Sequence, residues 1–247
     1  MANKLSLNID KTGYILFRPR AKLKARISID LTINGLKIKQ LTSCKYLGII
    51  IDEQLKWTEH IDYVYKKIIK FTGIFYRMRD KMLDACLKNL YFALVYPHVL
   101  FGIELYANTY KSHLERLLVL NNKLLRIMQR AVIFAPVVSL YVKYNTLPID
   151  LLFKRQLLLL MHKYMHYREL LPFAFHNYFV QNQQVHSHET RARGDLHMLR
   201  FNTCFGQKCI TYQASVAWNI MPSYLKVKLS EPVFKKSTYK YLLTLQM

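Results

Sequence analysis

The hydrophobic period of this chain changes once, at Trp57, and that change limits the fold more than any other feature. Upstream, "RISIDLTI" (26–33) alternates apolar and polar residues, so Ile27, Ile29, Leu31 and Ile33 share one face of an extended strand. Asn34-Gly35 comes next, a pair that accepts the positive φ angles of a tight hairpin turn, and Leu36 and Ile38 lie on the returning strand. "YILF" (14–17) predicts a short strand after a polar turn. "KYLGIIID" (45–52) predicts a fourth strand covered on both faces, with Gly48 leaving room for close approach of another backbone or a ligand.

Downstream the spacing is helical. Ile61, Val64, Tyr65, Ile68 and Thr72 form one stripe, with Thr58 as the expected N-cap. Further helices are expected at Leu83–Tyr96, at Ser112–Val132, at 149–170 after Pro148, and at 211–222, ending at Pro222. Residues 172–198 read as polar and aromatic loop. The fold class is therefore α+β, a small antiparallel β layer (about 14–52) followed by a mainly α-helical region, and half of the residues are apolar enough to build a core. The expected divisions are 1–56, 57–132 and 133–247.

Charge limits the partners. Lys and Arg number 37 against 15 Asp and Glu, a net charge of +22, spread as +7 over 1–56, +6 over 57–130 and +9 over 131–247. A surplus distributed along the whole chain suits an extended polyanion such as RNA or DNA. An anionic membrane face is the alternative, but the longest apolar run (90–107) contains Pro97, His98 and Glu104, which disfavour a spanning helix. Cys44, Cys86, Cys204 and Cys209 are too scattered for a disulfide framework and imply a reducing, intracellular compartment. His162 and His166 stand four apart on a helix, yet no third ligand occurs at a telling distance, and packed histidines are the expectation. Two basic stripes are candidates for phosphate contact: Lys66, Lys70 and Arg77, then Arg116, Lys123, Arg126 and Arg130. Arg191 and Arg193, beside His186 and His188, form a third basic group.

"LSLNIDKT", "CKYLGIIIDEQLKWTEHI" and "KIIKFTGIFYRMR" together resemble the downstream half of a LINE-type (non-LTR) retrotransposon reverse transcriptase. The resemblance implies that Leu5, Leu7, Asn8, Lys11 and Thr12 close a palm subdomain inside which the chain starts. It implies that Tyr46, Leu47 and Gly48 belong to a primer-grip hairpin touching the primer 3′ end, and that Trp57, His60 and Ile61 lead into a thumb. Lys11 would be a remnant lysine near the incoming nucleotide's phosphates; a solvated turn lysine is the plainer reading. The family's catalytic carboxylates include an adjacent Asp-Asp pair, and this sequence has none; its adjacent acids are Asp52 and Glu53. The expectation is a truncated RNA-directed DNA polymerase that grips template and primer but is inactive alone. It would have no cofactor of its own, with Mg²⁺ needed only by the full-length enzyme. The same resemblance implies association with an intact element protein, and the alternative is a non-catalytic basic nucleic-acid-binding protein.

Overall fold

The computed structural model describes residues 8–17, 29–187 and 192–245. The molecule divides into two compact units, Met1–Tyr63 and Val64–Met247.

In the first unit, β structure is confined to short pairs. β1 (Gly13–Tyr14) pairs in parallel with β4 (Lys39–Gln40), and β2 (Thr32–Ile33) pairs antiparallel with β3 (Leu36–Lys37). The β2–β3 turn is the expected Asn34-Gly35, at φ 51° and 78°. The long strand expected over 26–33 is two residues of β2 within the described part, residues 26–28 lying outside it, and Ile29 and Leu31 of its apolar face are 40% exposed. The larger departure concerns 45–52. The sequence pattern reads there as one continuous strand; the backbone instead folds back on itself, β5 (Ser43–Tyr46) pairing with β6 (Ile49–Asp52) in the register Tyr46↔Ile49 and Ser43↔Asp52. Leu47 (φ 46°) and Gly48 (φ 89°) are the two central turn residues. Gly48 therefore serves the reversal, which needs positive φ at both positions, and is not a gap in a strand wall.

Asp52 ends β6 and organises the loop that enters the first helix. Its buried carboxylate accepts hydrogen bonds from the backbone N–H groups of Gln54 (3.0 Å), Lys56 (3.1 Å) and Trp57 (2.8 Å). These charge-assisted bonds hold a loop in which Leu55 and Trp57 both take positive φ, a conformation that costs a non-glycine residue on the order of 1–2 kcal/mol. Trp57 rather than Thr58 takes the cap position of α1 (Thr58–Ile68), because its carbonyl accepts from the Ile61 N–H. His60 Nδ1 accepts from the Ile50 N–H, tying the start of α1 to the hairpin.

The second unit is helical. After α1 come α2 (Lys70–Met78), α3 (Asp84–Leu94), α4 (Tyr96–Leu100), α5 (Ile103–Tyr106), α6 (Lys111–Met128), α7 (Val137–Tyr144), α8 (Ile149–His166), α9 (Asn182–Val185), α10 (Ile210–Ile220) and α11 (Glu231–Thr244). Helix α6 packs on α2, α3 and α7, while α8 packs on α5, α10 and α11. The apolar run 90–107 is spread over α3, α4 and α5 and buries Tyr91, Val95, Val99, Ile103 and Tyr106 in the core. Pro97 sits in the first turn of α4, where a missing N–H costs nothing. Among the described residues no helix is long and apolar enough to cross a membrane. The core also contains a polar chain: Tyr91 Oη donates to Asn121 Oδ1, Asn121 Nδ2 to Tyr141 Oη, and Tyr141 Oη to Asn122 Oδ1. Asn121 thus satisfies two buried phenols that would otherwise be costly.

His162 and His166 are packing residues. His162 stacks on Phe234 with ring centroids 3.9 Å apart, and its Nε2 accepts from the Leu229 N–H; His166 Nε2 lies 2.9 Å from the Lys226 carbonyl. Burial, aided by the neighbouring His166, pushes the His162 pKa down to about 4, with Glu231 opposing. The folded state thus holds His162 neutral where an unfolded chain protonates it. This contribution to stability is complete above about pH 6.5 and is lost as pH falls through about 4. We expect about 2–3 kcal/mol to be lost over that window, a Tm decrease of roughly 4–10 °C. His162→Gln should remove most of this pH dependence in thermal melts at pH 7 and pH 4.5; an unchanged difference would contradict the assignment.

Candidate nucleic-acid interface

Each unit presents its own candidate surface. In the first, Asn8, Lys11 and Thr12 build a single-turn 3₁₀ helix over Ile9–Lys11. Asn8 Oδ1 accepts from the Lys11 N–H at 3.2 Å and Thr12 Oγ1 donates to the Asn8 carbonyl at 2.8 Å, so both polar side chains shape the turn. The Lys11 side chain points into solvent. Leu5 and Leu7 lie outside the described residues. The β5–β6 hairpin carries Tyr46, 63% exposed, and Leu47, 77% exposed, at its tip. A buried strand is the ordinary expectation for these residues; the reversal at Leu47-Gly48 presents them outward instead. Apolar side chains held on a rigid two-residue turn offer a surface against which a sugar or base can rest.

Asp52 and Glu53 line a shallow depression of about 170 Å³ with Glu59 and Lys56. Asp52 cannot serve a metal there, since its carboxylate is already held by three backbone N–H groups. Among the described residues no three His, Cys, Asp or Glu side chains approach closely enough to hold a metal ion. These acids do not fit the paired-Mg²⁺ arrangement of nucleotidyl transfer.

In the second unit, a cleft of about 600 Å³ runs between α1–α2 and α6. Tyr65, Ile69 and Thr72 form one wall; Ser112, Arg116, Val119 and Lys123 form the other, with Glu115 its one acid. Tyr65 and Thr72, which fall on the apolar stripe in sequence, are half-buried and line this cleft at the margin of the core. The Arg116 guanidinium lies over the Tyr65 ring, 3.8 Å from its centroid. Stacking engages the flat face of a guanidinium, and it is the N–H edge of such a group that suits a phosphate oxygen. Lys66 and Lys70 are exposed and, at about 100° per residue, lie roughly 100° around the helix from the cleft residues Tyr65 and Ile69; neither lines the cleft itself.

The remaining basic residues are employed differently. Arg77 is exposed and its Nε donates to the Gly73 carbonyl. Arg126 donates to the Ala135 carbonyl at 3.2 Å, closing the loop after α6. Arg130, at φ 52°, donates to the carbonyls of Arg79 and Met82 and pairs with Asp80 at 3.3 Å. These two arginines hold loops together, and of the α6 stripe only Arg116 and Lys123 line the cleft. Arg193 is exposed in the turn before Asp195; Arg191 and His188 lie outside the described residues. Helical spacing alone does not single out Tyr65 and Thr72, though an aromatic residue beside a basic stripe is an available signal.

The chain is 27% identical over 124 residues to the RNA-directed DNA polymerase from mobile element jockey of Drosophila melanogaster, covering 49% of this chain and 13% of that protein. It is 30% identical over 99 residues to the protein of the same description in Drosophila funebris, covering 38% of this chain and 11% of that protein. The match thus spans about an eighth of these relatives. No family model and no solved structure matches the chain. Over part of its length the chain is related to the reverse transcriptase of a LINE-type, non-LTR element.

Proposed function

We propose that this chain is the template–primer-holding part of a non-LTR retrotransposon reverse transcriptase and binds RNA–DNA hybrid through its phosphate backbone. The observation that carries the reading is the cleft between α1–α2 and α6, where Arg116 and Lys123 face a tyrosine-bearing wall whose Tyr65 and Ile69 are each followed in sequence by an exposed lysine, Lys66 and Lys70. An A-form-like hybrid offers two phosphate rails and a wide minor groove, so such a cleft would hold it with little sequence preference. The exposed Tyr46-Leu47-Gly48 tip would rest on the primer 3′ end, and Lys11 would lie near phosphates. Residues 1–56, 57–132 and 133–247 would correspond to the end of the palm with its primer grip, the thumb, and the helical region beyond it. The sequence lacks the Asp-Asp pair, and Asp52 is committed to its loop, so the bond-forming carboxylates and their Mg²⁺ would have to come from other polypeptide sequence, such as an intact element protein.

Gel-shift titrations with RNA–DNA hybrid over 50–200 mM salt test this. If Lys66, Lys70, Arg116 and Lys123 each contact one phosphate, log affinity should fall against log salt with a slope of about −3 to −4, and two unrelated hybrid sequences should bind within about threefold. An affinity indifferent to salt would refute the phosphate-tracking account.

A further inference from the structure

A second pocket in the helical unit has the opposite chemistry. It measures about 490 Å³ and lies among the first half of α6, the start of α7 and the start of α8. Leu114, Leu118, Val137, Pro148 and Ile149 supply apolar walls, and Glu115 and Asp150 place carboxylates on it. In a chain with 37 cationic and 15 acidic residues carboxylates are scarce. Asp30, Asp80, Asp84, Asp195 and Glu231 each have a Lys or Arg within 4.0 Å, whereas acids such as Glu53, Glu59, Glu104 and Glu169 have none among the described residues. Glu115 and Asp150 form no such pair among the described residues either, although Lys111 lines the same pocket one turn before Glu115. What sets them apart is that two exposed carboxylates meet on one apolar cavity. The α8 dipole accounts for Asp150 in its first turn, but not for Glu115 or for the cavity beside them.

We propose that this pocket takes a Lys or Arg side chain flanked by an apolar residue, presented by a basic segment of a partner polypeptide. The volume falls in the range that encloses a drug-sized ligand, which leaves room for a cationic stem and a neighbouring apolar side chain together. Apolar walls lower the local dielectric, so an ion pair formed there is stronger than one on the open surface. Phosphate would be repelled by the two carboxylates, and a second copy of this +22 chain would meet net repulsion. That repulsion also suppresses non-specific binding of basic peptides, so saturable binding would report the pocket. The pocket shares Ser112 and Glu115 with the edge of the hybrid-binding cleft, whereas Asp150 and its other walls are its own.

The probe is the peptide acetyl-Leu-Arg-Phe-amide, titrated calorimetrically into the full chain. Saturable binding is expected, with Kd on the order of 10–100 μM, and at least about tenfold weaker for the citrulline peptide, which keeps shape but not charge. Glu115→Gln with Asp150→Asn should weaken the arginine peptide by about tenfold, with the melting temperature lowered by no more than about 4 °C through the lost helix-dipole interaction of Asp150. Asp150→Asn alone should bind RNA–DNA hybrid as the natural chain does, so failure of one reading is distinguishable from failure of the other. The proposal is overturned if the citrulline peptide or the double variant binds as tightly, or if no saturation occurs by about 1 mM. It is equally overturned if n-butylguanidinium alone matches the peptide, which would make the ligand a small amine. Concentration-dependent dimerisation abolished by the double variant would assign the pocket to a second copy and overturn it too.

Discussion

Arg116→Glu combined with Lys123→Glu should lower affinity for RNA–DNA hybrid by on the order of 10³ at 0.1 M salt. Each lost phosphate contact removes about 0.9 from the slope of log affinity against log salt, close to eightfold at 0.1 M, and each reversal adds a repulsive charge of similar weight. Both side chains face the cleft opposite Tyr65 and Ile69, so the introduced carboxylates would stand beside Glu115 and turn one wall acidic. The informative contrast is Arg126→Gln with Arg130→Gln. Those guanidinium groups serve the carbonyls of Ala135, Arg79 and Met82, so their loss should lower thermal stability while leaving the salt slope nearly intact. Equal losses of hybrid affinity in the two double variants would mean that α6 contributes diffuse charge and that the cleft has no special part. Circular dichroism and melting of each variant separate lost binding from lost folding.

That contrast shows what a sequence can and cannot convey here. On a helical wheel Arg116, Lys123, Arg126 and Arg130 fall in one sector and are indistinguishable; what separates them is the loop after α6, which folds back to meet Arg126, and the α2–α3 connection, which receives Arg130. The Asn34-Gly35 turn is legible because two positive-φ-tolerant residues sit between alternating runs. Leu47-Gly48 is not, since the surrounding isoleucines read as one uninterrupted buried strand and leucine is an uncommon residue at φ 46°. Helices α8 and α10 announce themselves through Pro148 and Pro222 and dense apolar spacing. Helix α11 does not, because its buried contacts are only Phe234, Thr238 and Leu242 among lysines and tyrosines, and α7 is eight residues long with Val142 exposed. The polar chain through Asn121 is invisible for a different reason: its partners, Tyr91 and Tyr141, are thirty and twenty residues away.

No primer extension is expected from purified 1–247 with Mg²⁺ and deoxynucleotides, even where the same protein retains template–primer in a gel. Two-metal nucleotidyl transfer needs carboxylates converging on ions about 4 Å apart. Asp52 is the candidate with an adjacent acid, and it is engaged by three backbone N–H groups while holding Leu55 and Trp57 at positive φ; freeing it would undo the entry to α1. Asp80, Asp84, Asp195 and Glu231 are each drawn to lysine or arginine partners. Asp52→Ala provides the control. It should remove three charge-assisted bonds and destabilise the first unit by about 3 kcal/mol, with no polymerase activity to lose. Binding without extension, followed by extension only when a polypeptide bearing paired aspartates is added, would place grip and chemistry on separate sequence. Extension by the natural chain alone, abolished by Asp52→Ala in a protein that still folds, would show that Asp52 leaves its loop to hold metal and would defeat the division of labour proposed for this chain.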